Sequence, residues 1–104
     1  MSEKVYSIDE IRRIVAPIAV KYAVERIFLF GSYARGQANG SSDIDFLIDR
    51  GRPRGLMFAG MLGDLQERLQ KNVDLLTSVG LAQNGENSDF KQKIEKDMIL
   101  LYEH

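Results

Sequence analysis

Residues 31–49, GSYARGQANGSSDIDFLID, constrain this chain more than any other stretch. An apolar run, Ile27-Phe28-Leu29-Phe30, ends in the Gly31-Ser32 pair. A polar loop follows, and a second apolar run then carries Asp43 and Asp45. Aspartate is depleted in strands because its short side chain competes for backbone hydrogen bonds. Two aspartates at i and i+2 of a strand project onto one face, where they repel and where burial makes both harder to ionise. A divalent cation removes that objection, since Mg²⁺ is commonly held by one or two carboxylates together with substrate phosphates. The Gly-Ser turn supplies the complementary half, a tight backbone whose N–H groups can face phosphate oxygens. A phosphate cradle beside metal-binding carboxylates reads as nucleotide chemistry.

Composition narrows the class. A chain of 104 residues, 44% hydrophobic and 28% charged, is expected to be a single globular domain over 1–104 with its own core. Fourteen basic against fifteen acidic residues argue against a broad basic face, so no direct nucleic-acid binding is expected. With no cysteine there is no disulfide framework, zinc–thiolate site or thiol nucleophile, and a reducing compartment fits. No apolar run approaches a membrane span and no signal-peptide pattern opens the chain, which makes the cytoplasm the expected location.

Periodicity then gives the elements. Ser7-Ile8-Asp9-Glu10 fits a capping box, and apolar residues at helical spacing extend one helix over about 8–23, with Pro17 expected to kink it. Arg26–Phe30 reads as a buried strand, and Tyr33-Ala34-Arg35 as a short helical turn. Gln37–Ser42 reads as loop. Asp43–Asp49 is the second strand, with Ile44, Phe46 and Ile48 on one face and Asp43, Asp45 and Leu47 on the other. Arg50–Gly55 is an exposed connector. Leu56, Met57, Phe58, Met61, Leu62, Leu65 and Leu69 mark a helix, whose Gly60 and Gly63 suit close packing on the sheet. Val73–Thr77 is a third strand with Asp74 opposite to Val73 and Leu75, and Gly80–Asn87 is a polar loop. A last helix follows, capped by Ser88 or Asp89, with Phe90, Ile94, Met98 and Leu101 as its inward stripe. The fold class is α+β (α/β), a small mixed sheet flanked by helices.

Gly31-Ser32, a ten-residue gap, Asp43-x-Asp45 and the later KNVDLL strand together resemble the polymerase-β-like nucleotidyltransferase superfamily, in particular its minimal single-domain members. The resemblance runs from Ile27 to the terminal Leu-Tyr-Glu. It implies that Gly31 and Ser32 hold the β- and γ-phosphates of ATP and that Asp43 and Asp45 ligate two Mg²⁺ ions. Asp74 would complete one metal site and help deprotonate the acceptor hydroxyl. Arg35 stands between a structural ion pair and a phosphate or partner contact. The competing account of Asp43 and Asp45, paired acids solvating a sheet edge, leaves the Gly-Ser turn and Asp74 as coincidences. Tyr33 reads as ordinary surface or packing, Asp49 as a solvated strand end, and Arg50, Arg52 and Arg54 as a solvated loop. His104 has no assigned role.

The same resemblance implies an acceptor outside the chain. Standalone minimal nucleotidyltransferases commonly serve as antitoxins, partnered by a small helical HEPN-type RNase toxin encoded next door. The reaction suggested for the group is transfer of AMP from ATP to a toxin tyrosine, in a type VII-like toxin–antitoxin pair. Two alternatives stay open on the residues alone. One is an antitoxin that inhibits by stoichiometric binding, and the other a small-molecule nucleotidyltransferase working with a helical subunit.

Overall fold

Ser7 starts the first helix by closing a capping box. Its hydroxyl accepts from the Glu10 N–H at 3.1 Å, while the Ser7 N–H donates to Glu10 Oε1 at 3.0 Å. In the computed structural model, which describes residues 4–50, 55–77 and 96–104, this helix, α1, spans Ile8–Lys21. Pro17 lies on its exposed side and does not end it. The helix stops in a Schellman turn: Val24 N–H bonds the Ala19 carbonyl at 2.9 Å and Ala23 N–H the Val20 carbonyl at 3.2 Å. Ala23 takes the left-handed position, φ +57°, that glycine usually fills.

The chain then runs through β1 (Arg26–Phe30), a short α2 (Gly31–Ala34), β2 (Ile44–Arg50), α3 (Leu56–Leu69), β3 (Val73–Thr77) and β4 (Ile99–Glu103). Among the described residues the strands form one mixed sheet in the order β3-β2-β1-β4. β1 is antiparallel to both β2 and β4, while β2 and β3 are parallel, with α3 as their crossover. The register sets Phe30 opposite Asp45 and Asp45 opposite Asp74, so these three positions form one row across three strands.

Alternation within the strands divides the sheet into two faces. Ile27, Leu29, Ile44, Phe46 and Ile48 are all fully buried in the main core with Ile11 and Val15 of α1 and Met61, Leu65 and Leu69 of α3. Phe30 and Leu47 form a second, smaller buried cluster, with Phe28, Leu76 and Met98 packed against it. The assignment of β2 faces read from the sequence therefore holds, and Leu47 on the carboxylate face is buried as well. No helix among the described residues is long and apolar enough to cross a membrane.

Four expectations change. Leu101 does not belong to a helical stripe: Ile99–Glu103 is a strand, with Leu101 buried and Leu100 40% exposed. The run Ile-Leu-Leu-Tyr suits a strand, and it satisfies the β1 edge left open by β2. Lys96 and Asp97 are helical, whereas Phe90, Ile94, the capping Ser88 or Asp89 and the Gly80–Asn87 loop lie outside the described residues. The inward stripe of α3 starts later than expected, since Leu56 is 91% exposed and Met57 half exposed. Its glycines also serve differently. A Cβ on Gly60 would sit 3.0 Å from Tyr22 Oη of α1, so the close approach is between helices and not onto the sheet, and Gly63 meets nothing within 4 Å. Finally, Asp49 is no free strand end, because its carboxylate pairs with Arg26 at 3.2 Å. Of the connector arginines, Arg52 and Arg54 lie outside the described residues.

Two polar ties brace the fold near the row. Lys71, only 4% exposed, donates from Nζ to the Gly40 carbonyl at 2.8 Å, anchoring the loop between α2 and β2 to the start of β3. Within that loop Asn39 N–H donates to Ser42 Oγ and Ser41 N–H to Asn39 Oδ1, each at 2.9 Å. Both ties fix where Asp43 and Asp45 begin.

Candidate active site

Gly31 follows β1 directly, at φ +76°, a conformation that L side chains rarely adopt. A Cβ placed there would overlap Asp45 Oδ2 and lie 3.1 Å from its Cγ. The glycine thus does two things at once: it turns the chain out of the strand into α2, and it lets the Asp45 carboxylate lie against the backbone. From the other side Asp74 stands beside Asp45 in the parallel register, close enough to share a hydrogen bond with it.

Two carboxylates in hydrogen-bond contact cannot both ionise freely. Burial pushes the Asp45 carboxyl up to about 7, helped by the Asp74 hydrogen bond and by the negative charges of Asp74 and Asp43, while the Arg35 guanidinium pulls the other way. Asp43 precedes β2, exposed, and acts on Asp45 through its charge. Among the described residues no three acidic or imidazole side chains are drawn close enough to form a ready-made cation cage. The donor set nevertheless suits a hard cation. It consists of carboxylate oxygens whose mutual repulsion a divalent ion would neutralise.

These groups line one cleft of about 670 Å³. Gly31, Asp45, Asp74 and Arg35 face it, and Phe30, Leu62 and Leu76 give it apolar walls. Ser32 is half-buried in α2 and outside the lining, its carbonyl accepting from the Gln37 N–H at 2.9 Å. Arg35 closes α2, with Nε donating to Gln37 Oε1 at 3.2 Å and Nη1 lying 3.8 Å from Asp97 Oδ2. The structure therefore brings Gly31, Asp45, Asp74 and Arg35 together, and it leaves Asp43 and Ser32 adjacent to the cleft.

One cleft residue was missed. Asp97 also lines the cleft, although nothing in the sequence marks it: it sits 52 positions after Asp45 and belongs to no motif. Tyr33, read as surface or packing, is packing: it lies in the core at 4% exposure. Burial raises its pKa.

The family profile of the nucleotidyltransferase domain matches residues 8–101. A Methanocaldococcus jannaschii protein named "Putative protein adenylyltransferase MJ0435" is 42% identical over 72 residues, covering 68% of this chain and 77% of its own length. A second from the same organism, of the same name but numbered MJ0126, is 39% identical over 82 residues, covering 78% of this chain and 80% of its own. Among solved structures, a toxin–antitoxin complex with AMP-PNP superposes with a TM-score of 0.69 at 19% identity, over 89% of this chain and 73% of that one. The MNT antitoxin complex with a tri-AMPylated Shewanella oneidensis HEPN toxin gives 0.65 at 16% identity, over 93% and 73%. These structures share the fold. The profile match over residues 8–101 and the 42%-identical relative place the chain in the nucleotidyltransferase-domain family, within the polymerase-β-like superfamily.

Proposed function

We propose that this chain transfers AMP from ATP to a hydroxyl of a partner protein, a tyrosine of a HEPN-type RNase toxin, and so acts as the antitoxin of the pair in the cytoplasm. The observation that carries the reading is Asp45, seated between a glycine that cannot be replaced without collision and the Asp74 carboxyl. A like-charged pair in a cleft is costly to keep unless a cation completes it. The protein-adenylyltransferase names of the M. jannaschii relatives and the antitoxin complexes among the structural neighbours support the acceptor class.

In this reading Asp43, Asp45 and Asp74 hold Mg²⁺, two ions as the resemblance implies. When bound, the metal supplies charge to the triphosphate and to the attacking oxygen. The remaining work belongs to the chain. Gly31 and Ser32 at the start of α2 position the β- and γ-phosphates, and Arg35 neutralises a phosphate oxygen. Asp74 is exposed, so an acceptor hydroxyl can reach it and leave its proton there. The hydroxyl oxygen bonds to the α-phosphorus, the bond from that phosphorus to the bridging oxygen breaks, and pyrophosphate leaves. Phe30, Leu62 and Leu76 keep the walls of the cleft apolar, which strengthens each of these electrostatic contacts.

The test is label transfer. The protein is incubated with ATP labelled at the α-phosphate, Mg²⁺ and the helical product of the adjacent gene. The expected result is an AMP mass increment on a tyrosine of that product and loss of its RNase activity, at sub-stoichiometric amounts of this chain. One-to-one inhibition without ATP, reversed on separation, would instead make it a binder. Label on a small molecule alone would move the acceptor class.

A further inference from the structure

Asp97 is a cleft residue that no motif accounts for, and its relation to Arg35 is unusual. Their charged atoms lie 3.8 Å apart, inside ion-pair range but beyond the 2.7–3.2 Å of an N–H···O hydrogen bond. The pair is therefore coulombic, without the directional contact that would orient a guanidinium. Orientation comes from elsewhere, through the Nε bond to Gln37 Oε1 at 3.2 Å. Among the described residues that line the cleft, Arg35 is the single cation, facing three carboxylates, Asp45, Asp74 and Asp97. Asp45 and Asp74 are engaged with each other, whereas Asp97 stands apart from that pair and beside the guanidinium.

We propose that Asp97 is a positioning residue that acts through Arg35: it occupies the guanidinium when the cleft holds no nucleotide and competes with the triphosphate for it, setting nucleotide affinity. The proposal rests on the reading of Arg35 as a phosphate contact. Two observations make the pair exchangeable. Both side chains are partly open to solvent, Arg35 at 37% and Asp97 at 25%, so neither is locked in place. The single long contact also leaves the other guanidinium nitrogens available to phosphate oxygens, which bind arginine in forked geometry. A negative charge about 4 Å from the one cation of an anion site opposes a polyanion in proportion to its screening, and at a half-exposed position the effect on affinity is roughly three- to tenfold.

The experiment measures binding of AMP-PNP in Mg²⁺ by calorimetry, without an acceptor, on the full chain and four variants. Asp97→Asn is nearly isosteric and is expected to bind about three- to tenfold tighter than wild type. Asp97→Glu keeps the charge and is expected to bind like wild type. Arg35→Met is expected to bind more weakly, and Asp97→Asn added to Arg35→Met should bring no further gain. That last result separates competition for Arg35 from a general relief of negative charge, which would persist without the arginine. A gain that survives in the double variant overturns the proposal, as does weaker or unchanged binding by a folded Asp97→Asn. If Asp97→Asn does not fold, Asp97→Ser takes its place in the cycle. Wild-type protein that binds no AMP-PNP would overturn the nucleotide reading itself, whereas wild-type binding with no Asp97–Arg35 coupling overturns this inference alone.

Discussion

Gly31 and Asp45 share one space: the volume a side chain would take at Gly31 is filled by the Asp45 carboxyl. Strand β1 ends and strand β2 begins at this contact, so the backbone turn and the Asp45 carboxyl are a single packing solution. Gly31→Ala has two faults, a strained φ of +76° and the collision with Asp45. It is expected to cost about 1–3 kcal/mol of stability and at least a hundredfold in AMP transfer, because Asp45 must move. Urea denaturation and label transfer on the same preparation check both. A folded Gly31→Ala that transfers AMP at the wild-type rate would contradict the arrangement.

The raised Asp45 carboxyl makes the metal-free protein pH-sensitive. The folded state holds a proton up to about 7, whereas an unfolded aspartate releases it near 3.8. Between those values the folded state binds more protons, so this group's contribution to stability falls as pH rises. In chelator, the urea midpoint is expected to drop from pH 5 to pH 8 by more in wild type than in Asp45→Asn. Equal slopes in the two proteins would remove Asp45 as the cause.

The same charges separate fold from chemistry. Asp45→Asn keeps shape and removes a negative charge from beside Asp74, so its stability at pH 8 is expected to equal or exceed that of wild type. Transfer is expected to fall below detection in Asp43→Asn/Asp45→Asn. Thermal melts and intact-mass assays give the two readouts, and substantial transfer by the double variant would locate the chemistry elsewhere.

Ala23 offers a gain remote from the cleft. It holds the left-handed position of the Schellman turn at φ +57°, which costs an L residue about 1 kcal/mol relative to glycine. Ala23→Gly is expected to stabilise by up to about 0.5 kcal/mol after the greater freedom of glycine in the unfolded chain is counted, leaving transfer unchanged. A loss of stability on denaturation would show that the turn is not strained.

The two glycines of α3 should respond in opposite ways. At Gly63 a methyl meets nothing within 4 Å, so Gly63→Ala is expected to gain about 1 kcal/mol from helix propensity. At Gly60 the methyl would crowd Tyr22 Oη, which donates to Asp64 Oδ2 at 2.7 Å, and Lys21 Nζ donates to the same oxygen at 2.8 Å. Gly60→Ala is expected to gain less than Gly63→Ala or to destabilise. Paired melting curves decide it, and equal gains would mean that Tyr22 moves aside freely.

Where local chemistry decides, the chain was legible. The Ser7 capping box, the β1 and β3 limits and the alternation of Ile44, Phe46 and Ile48 follow from side-chain type and spacing. So does the meeting of Asp45 with Asp74, once β2 and β3 are parallel neighbours. What the sequence hides is set by distant partners. Ile99–Glu103 reads equally as the end of a helix until β1 is seen to need a second neighbour. Asp97 is an ordinary acid until the fold brings it within reach of Arg35, 62 positions earlier. Gly60 reads as a contact with the sheet because only the assembled helices reveal Tyr22.

The parallel pairing of β2 with β3 has a consequence for how the domain assembles. Among the described residues β3 is an edge strand, joined to β2 through the 14-residue helix α3. The residues it must align include Asp45 and Asp74, so two acids oppose the last step of sheet completion. Local conflict of this kind slows docking and lowers the cost of local release. Under the proposed function, a cation that offsets the two acids would also favour the docking of β3. A chain lacking β3 has no Asp45–Asp74 pair, so under the proposed function AMP transfer requires the completed sheet.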